Sequence, residues 1–488
     1  MLVKSVHMNA FKCDVSDECK YAKIDERGTK MDFYQETQNR KEKMIKDLQA
    51  LIQIPSLRDL DSKAENAPFG KDLRHALDYV LNLAKTDGFK TRDLEGYAGV
   101  VELGEGEEIL GVLGHLDIVP IGTGWTVDPF GGEIKEGFIM GRGAQDDKGP
   151  TMAGYYAMKI LKEMGFQPKK RVFLIVGCDE ETGMSCMKYY NEHGEIPDFG
   201  FVPDADFPVV YGEKGIMNLN LNGDVQTKIV RIKAGERPNI CIGEASIVME
   251  GYPFKELFAF YLETHHLKGE LIERDGESEY KFYGKFSHGA KPDDGINAAW
   301  HALNFVGGAY QDRFATKLAE LLRDWRAEPL GVKVFGSHMG YLTMNIGVVN
   351  IEHKHASVIL DIRYPQETNH EHIFSEISKR FKDAYLGLEV DLIQAKEPLF
   401  VDPKSTLVTT LEKVYRDYSK DVTTPLLTMG GGTYARSFKN FVAFGAEFPT
   451  RERPSWVGQV HQADEGYELE QFYLATAIYA QAIYDLSK

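Results

Sequence analysis

Residues 150–177 read PTMAGYYAMKILKEMGFQPKKRVFLIVG, and two textures meet in them. Ala153, Tyr156, Ala157, Ile160, Leu161 and Met164 recur at the spacing of one helical face, and Gly165 ends the run. Residues 171–177 then stay almost wholly apolar for the length of a strand. A strand without polar alternation is one buried on both faces. The same pairing stands upstream. Leu73, Ala76, Leu77, Val80 and Ala84 mark a helix closed by Gly88, and residues 99–103 and 109–114 follow as strands. Buried strands alternating with amphipathic helices predict an α/β domain on a largely parallel sheet. Ligands of such sheets bind beyond the carboxyl ends of the strands.

Between residues 215 and 394 the texture changes. Alternating stretches, such as 217–222 (MNLNLN) and 357–363 (SVILDIR), mix with helical ones at 255–265 and 298–305. A helical stretch at 405–418 then resumes the first texture. The expectation is an α+β domain inserted at 215–394, which leaves 31–214 and 395–488 as one discontinuous domain. Residues 1–30 show no core-forming period and read as an extension outside the fold.

A chain of 488 residues is too long for one ordinary core. Its 74 acidic residues against 57 basic ones leave a net charge of -17. Such a surface repels phosphate backbones and anionic membranes, so neither nucleic acid nor a membrane is an expected partner. No apolar run reaches the length of a membrane span. The opening residues lack a cleavage-site pattern, and five cysteines make no disulfide framework, so cytoplasmic residence is expected. Cys13 and Cys19 stand too far apart for a CxxC metal site.

Acids and histidines fall where strands end. Residues 114–117 (GHLD) offer His115, which is either a strand-end histidine capped by a carboxylate or a metal-binding imidazole oriented by Asp117. Residues 141–150 (GRGAQDDKGP) precede the helix. Their two carboxylates either cap it or place one as a bridge between two cations. Residues 177–183 (GCDEETG) set three acids behind a buried strand, which is costly unless they are solvated or coordinating. Residues 201–208 (FVPDADFP) add Asp204, and 461–465 (HQADE) add His461. Each signal alone admits a bland reading. Together, in this order, they suit two zinc-like ions sharing a carboxylate.

The set resembles the co-catalytic metallopeptidases that include aminoacylases, carnosinases and PepV-type dipeptidases. Gly-His-x-Asp at 114–117, Gly-Arg-Gly-x-x-Asp-Asp-Lys-Gly at 141–149, Asp-Glu-Glu-Thr-Gly at 179–183 and Ser-His-Gly-Ala-x-Pro-x-x-Gly-x-Asn-Ala at 287–298 stand in that family's order. PepV-type bacterial enzymes are the nearest match, from about Met31 to the end of the chain. The resemblance implies that Asp146 bridges two metals, with His115 and Asp204 completing one ion and Glu181 and His461 the other. Glu180 matches the family's general base, and a cis peptide is implied between Asp146 and Asp147. The insertion matches the family's lid. There His288 corresponds to an oxyanion donor, and Arg363 to a clamp on the substrate carboxylate. The loop with Gly431, Gly432 and Thr433 corresponds to a cradle of bare amides, and Asn239 to a pocket residue.

What the resemblance implies is a metal-dependent dipeptidase acting on short unblocked peptides. A water held between two divalent ions attacks after Glu180 takes its proton. Zinc is the first expectation for both ions, with manganese or cobalt as alternatives. The large lid implies a pocket closed within one chain, hence a monomer. Two rivals share the metal site, an amino-acid deacylase and a tripeptide aminopeptidase, and differ in pocket depth. A third is an inactive relative that merely binds peptides. The complete set of ligands and base weighs against that last reading.

Overall fold

The computed structural model describes residues 23–24, 30–274 and 276–488. The extension expected at 1–30 therefore lies outside the described residues, apart from Lys23, Ile24 and Lys30. Lys23 pairs with Met31 and Ile24 with Lys30 in a two-stranded antiparallel ladder. The chain divides into two compact units, Met1–Pro208 with Thr409–Thr424 and Phe444–Lys488, and Val209–Val408 with Pro425–Ala443. No helix among the described residues is long and apolar enough to cross a membrane.

In the first unit the helices α1 (Lys41–Ile52), α2 (Lys71–Thr86) and α3 (Lys148–Glu163) surround five strands. The strands are β1 (Lys90–Leu94), β2 (Ala98–Leu103), β3 (Ile109–His115), β4 (Arg171–Gly177) and β5 (Phe199–Val202), in the order β5-β3-β4-β2-β1. This sheet is mixed, where a largely parallel one was expected. β3 runs parallel to β4 and β5, but β2 is antiparallel to β4 and β1 antiparallel to β2. For β1 and β2 the reason is the tight turn at 95–97 that joins them, with Gly96 at φ 76°. A connection this short joins antiparallel neighbours and no others.

The helix read from residues 150–164 is buried around its whole circumference from Lys148 to Leu161, rather than on one face. It packs on β3 and β4 and is also covered by α1 and by the C-terminal helix Leu469–Ser487. Its polar groups are answered internally. Tyr156 donates to Asp47 at 2.6 Å, and the Lys148 ammonium donates to the carbonyls of Leu51 and Ile54 at 3.1 and 2.7 Å. Those two bonds tie the first turn of α3 to the end of α1. On its other side α3 approaches β3 so closely that a side chain at Gly114 has no room. A Cβ there would stand 1.9 Å from Thr151 Oγ1 and 3.0 Å from Asp147 Oδ2.

The second unit holds an eight-stranded sheet. Its strands are β6 (Gly215–Asp224), β7 (Ile229–Ala234), β8 (Glu244–Glu250), β9 (Lys268–Arg274), β10 (Glu277–Tyr283), β11 (Thr343–Glu352), β12 (His355–Tyr364) and β13 (Glu389–Lys396). The order is β9-β10-β8-β7-β11-β12-β6-β13, and every neighbouring pair is antiparallel. The alternation seen in the sequence sets the register. Met217, Leu219 and Leu221 lie opposite Ile362, Leu360 and Val358, so both rows face one core while the residues between them face away. The helices Ala298–Ala309, Arg313–Leu321 and His370–Ala384 contribute to that core.

Gly114→Ala is expected to destabilise the protein by about 1–3 kcal/mol, the usual consequence of overpacking. Urea unfolding of the metal-free protein measures it. An unchanged midpoint would mean that α3 does not press on β3 as described.

Candidate metal centre

The parallel trio β5-β3-β4 brings the sequence candidates to one level. His115, the last residue of β3, pairs in register with Gly177, so the acids that follow β4 emerge beside it. Val112 pairs with Phe201, which places Asp204, three residues further on, opposite His115. Asp146 comes from the turn before α3, and its peptide to Asp147 is cis. His461 comes from a loop where its backbone has φ 65°, a left-handed conformation uncommon for a side-chain-bearing residue.

One carboxylate organises the group. Asp146 Oδ1 lies 3.0 Å from His115 Nε2, and Asp146 Oδ2 lies 2.9 Å from His461 Nε2. On the His115 side Asp204 Oδ2 approaches the same Nε2 at 3.8 Å. On the His461 side Glu181 Oε1 lies 3.1 Å from Nε2. Ligand atoms of His115, Asp146 and Glu181 all fall within 4.8 Å of one another. The five candidates thus form two donor pairs joined by Asp146.

The chemistry of this donor set fits a cation. His115 Nδ1 lies 2.9 Å from the carbonyl oxygen of Asp117, which can only accept, so Nδ1 carries the proton and Nε2 is left to face the acids. Burial disfavours a charged His115 ring, but its contacts with Asp117 and Asp146 outweigh this and hold its pKa well above the usual value. Contacts with Asp146 and Glu181 likewise raise His461 to about 10. Burial, with Asp146 next, pushes the Asp204 carboxyl well up, and burial raises Glu180 to about 8. Among the described residues no lysine or arginine pairs with Asp146, Glu180, Glu181 or Asp204. The charge that these acids lack from basic side chains would have to come from protons or from bound cations.

Neighbouring acids hold the frame. The Asp117 carboxylate accepts the backbone amides of Glu180 and Glu181 at 2.9 and 3.0 Å, and stands 3.5 Å from His115 Nδ1. It therefore fixes the 180–181 turn more closely than it orients the imidazole. Asp179 turns away from the cluster. It accepts the amide of Ser185 at 3.1 Å and the hydroxyls of Thr182 and Ser185, capping the next helix. Two residues escaped the sequence reading. Glu465, fully buried, accepts the amides of Gln145 and Asp146 at 3.0 and 3.3 Å with one oxygen, and Arg142 Nη1 at 2.6 Å with the other. The clue lay in their placement: Arg142 is four residues before Asp146 and Glu465 four residues after His461.

A family model described as peptidase family M20/M25/M40 matches residues 111–485. The chain belongs to this peptidase family. It is 36% identical to "Putative dipeptidase YtjP" of Bacillus subtilis over 474 residues, covering 94% of this chain and 100% of that one. Identity to a "Putative dipeptidase" of Staphylococcus haemolyticus is also 36%, over 91% of this chain and 97% of that one. Among solved structures, the dipeptidase Dug1p of Saccharomyces cerevisiae matches with a TM-score of 0.55 at 14% identity, covering 93% of this chain and 98% of that one. Human carnosine dipeptidase 1 matches with a TM-score of 0.54 at 14% identity, covering 93% and 99%. At that identity the structural likeness speaks for the fold alone.

In this M20 peptidase the remaining candidates gather within the second unit. Gly289, next to His288, donates its amide to Asn239 O at 2.7 Å, and His288 Nδ1 accepts from Ala290 N at 3.1 Å. Arg363 is nearly buried. Its Nε and Nη2 bind Asp361 at 2.8–3.1 Å, and its Nη1 donates to Gly430 O at 3.0 Å. Three of a guanidinium's five N–H donors are thereby engaged, which leaves two. Thr433 departs from the bare-amide expectation: its amide and hydroxyl both donate to buried Glu213, at 3.1 and 2.7 Å. The amides of Gly431 and Gly432 remain as the candidates in that loop.

Glu465→Gln keeps the shape but removes the charge opposite Arg142. Because it breaks a buried ion pair, it is expected to cost about 3–5 kcal/mol and to weaken metal retention by loosening the Asp146 turn. Unfolding of the metal-free protein and elemental analysis of the loaded one check the two effects. A variant as stable and as metal-rich as the parent would remove Glu465 from this role.

Proposed function

We propose that this M20 peptidase is a metal-dependent dipeptidase that cleaves short unblocked peptides. The observation that carries the reading is the Asp146 carboxylate, with a different imidazole against each of its oxygens and a further acid beside each imidazole. The names of the curated relatives support the substrate class. His115, Asp146 and Asp204 would hold one divalent ion, and Asp146, Glu181 and His461 the other. Zinc is the first choice, with manganese and cobalt as alternatives for imidazole and carboxylate ligands. When bound, the ions supply Lewis acidity toward the scissile carbonyl and lower the pKa of a water.

The protein's own groups do the rest. Glu180 receives no hydrogen bond at its carboxylate from the described residues, while its backbone is pinned by Asp117. A free carboxylate on a fixed backbone suits a group that takes a proton from the attacking water and returns it to the leaving amine. Glu181, one residue on, is committed to His461. In the second unit, read here as the lid of the enzyme, His288 donates to the developing oxyanion. The two remaining donors of Arg363 bind the carboxylate of the peptide's C-terminus. A monomer working in the cytoplasm is part of the same proposal, supported by composition and charge.

Chelation is expected to abolish dipeptide hydrolysis and added zinc, manganese or cobalt to restore it. Glu180→Ala should keep both metals and lose roughly 10²–10⁴-fold in kcat, as loss of a general base does. His461→Ala should instead lose metal. Elemental analysis paired with kinetics on dipeptides, tripeptides and N-acyl amino acids decides among the family's activities. Full activity in metal-free protein, or metal loss from Glu180→Ala with both ions kept by His461→Ala, would overturn the assignment.

A further inference from the structure

On the sheet face of the second unit that turns away from its core, four polar residues stand in one row across four strands. Asn345 of β11 lies opposite Asp361 of β12, Asp361 opposite Asn218 of β6, and Asn218 opposite Gln394 of β13. Three of them form a directed chain that ends on Arg363. Gln394 Nε2 donates to Asn218 Oδ1, and Asn218 Nδ2 donates to Asp361 Oδ1 at 3.1 Å. Arg363 Nε and Nη2 donate to the same carboxylate at 2.8–3.1 Å. A carboxylate beside a guanidinium accepts only, so the nitrogen of Asn218 faces Asp361 and its oxygen faces Gln394. Asn345, on the other side of Asp361, turns its Nδ2 to the carbonyls of Pro238 and Ile240. Among the described residues Asn218 is therefore the one side chain besides Arg363 that donates to Asp361.

The backbone is shaped to complete this chain. Leu219 lies opposite Leu392, so an unbroken antiparallel ladder would set Ile393 opposite Asn218. A bulge in β13 sets Gln394 there instead, and Ile393 is left 53% exposed. Bulges re-aim side chains and are frequent beside functional sites. An isoleucine could neither donate to Asn218 Oδ1 nor fix the direction of its amide. That direction matters because the terminal torsions of Asp and Asn are broad, so neither plane is set by its own rotamer. Gln394 sets Asn218, Asn218 sets Asp361, and Asp361 sets the guanidinium. Gly289, next to His288, presses on the same carboxylate: a Cβ there would stand 2.8 Å from Asp361 Oδ2.

We propose that Asn218 and Gln394 are positioning residues: without touching substrate, they hold the Arg363 guanidinium in the plane that receives the peptide's C-terminal carboxylate. The carboxylate rests on the role given to Arg363 above; the hold on Arg363 does not. Selectivity for a free carboxylate over an amide then depends in part on Gln394, an exposed residue of an edge strand.

The test uses the full-length, metal-loaded protein with Asn218→Leu, Gln394→Leu and Gln394→Glu. The last is the sharpest, because a carboxylate at 394 accepts only and would turn the Asn218 nitrogen away from Asp361. Proton exchange at Arg363 Nε, followed by NMR and assigned with Arg363→Ala, reads the guanidinium directly and needs no turnover. It is expected to quicken at least about tenfold in each variant as the group loses protection. Kinetics on dipeptides and on their C-terminal amides read the consequence. KM for the free acid should rise at least about tenfold with kcat held, while the amides change little. In an Arg363→Ala background the same substitutions should add nothing. The Gln394 variants should melt with the parent, since the side chain is exposed, and they decide the matter if Asn218→Leu fails to fold. Unchanged exchange at Arg363 in Gln394→Glu, or KM rising equally for acid and amide, would overturn the proposal. Faster exchange in a protein that cleaves no dipeptide would leave both residues positioning Arg363 and remove the dipeptidase reading instead.

Discussion

Four acids, Asp146, Glu180, Glu181 and Asp204, crowd one level of the first unit with two imidazoles to answer them. Two unit charges about 4 Å apart repel by about 4 kcal/mol at an effective dielectric near 20, so the fully ionised group cannot stand without compensating charge. Protons or cations must supply it. Much of the surrounding structure works to hold the acids together against that repulsion. The register of β3 with β4 and β5 sets their height, α3 presses on β3 through the space left by Gly114, and Glu465 pins the turn that carries Asp146.

The buried acids of this protein sort by what donates to them. Asp117 and Glu465 each receive two backbone amides, Asp179 an amide and two hydroxyls, Glu213 an amide, a hydroxyl and Arg436, and Asp361 a guanidinium and Asn218. These are satisfied, and each fixes a turn or a side chain. The candidate ligands receive imidazole contacts alone, and Glu180 receives none from the described residues. Among the described residues these unsatisfied acids lie together, beside Asp147, whose Oδ1 is likewise buried without a partner.

That distinction explains what could be read from the sequence. The helix–strand texture of residues 150–177 gave the α/β class, and the order His115, Asp146, Glu180-Glu181, Asp204, His461 gave the cluster, because strand ends and residue types are local facts. Which of three consecutive acids turns inward is not local. Asp179 caps a helix while its neighbours face the cluster, and a string of identical charges carries no mark of this. The Arg142–Glu465 pair joins residues 323 positions apart, so neither charge looked unusual where it stood. Apolar strands suggest a largely parallel sheet, but the short turn at Gly96 reverses β1 against β2, and apolar composition carries no mark of strand direction.

The second unit repeats the device with the charges exchanged. In the first unit acids lack cationic partners among the described residues; in the second a cation is partly satisfied. Asp361, itself fully buried, engages Arg363 through two nitrogens and so sets the plane of the guanidinium, while Gly430 takes a third donor. Burying a charge pair is expensive, and a hydrophobic pair of equal volume would often be as stable. What the pair provides instead is a guanidinium whose orientation is already fixed, with two N–H groups left over. Little side-chain entropy would then remain to be lost if an anion bound there, as the proposed role requires. A residue meant solely for stability would have no need of those two leftover donors, and one meant solely for long-range attraction would have no need of Asp361.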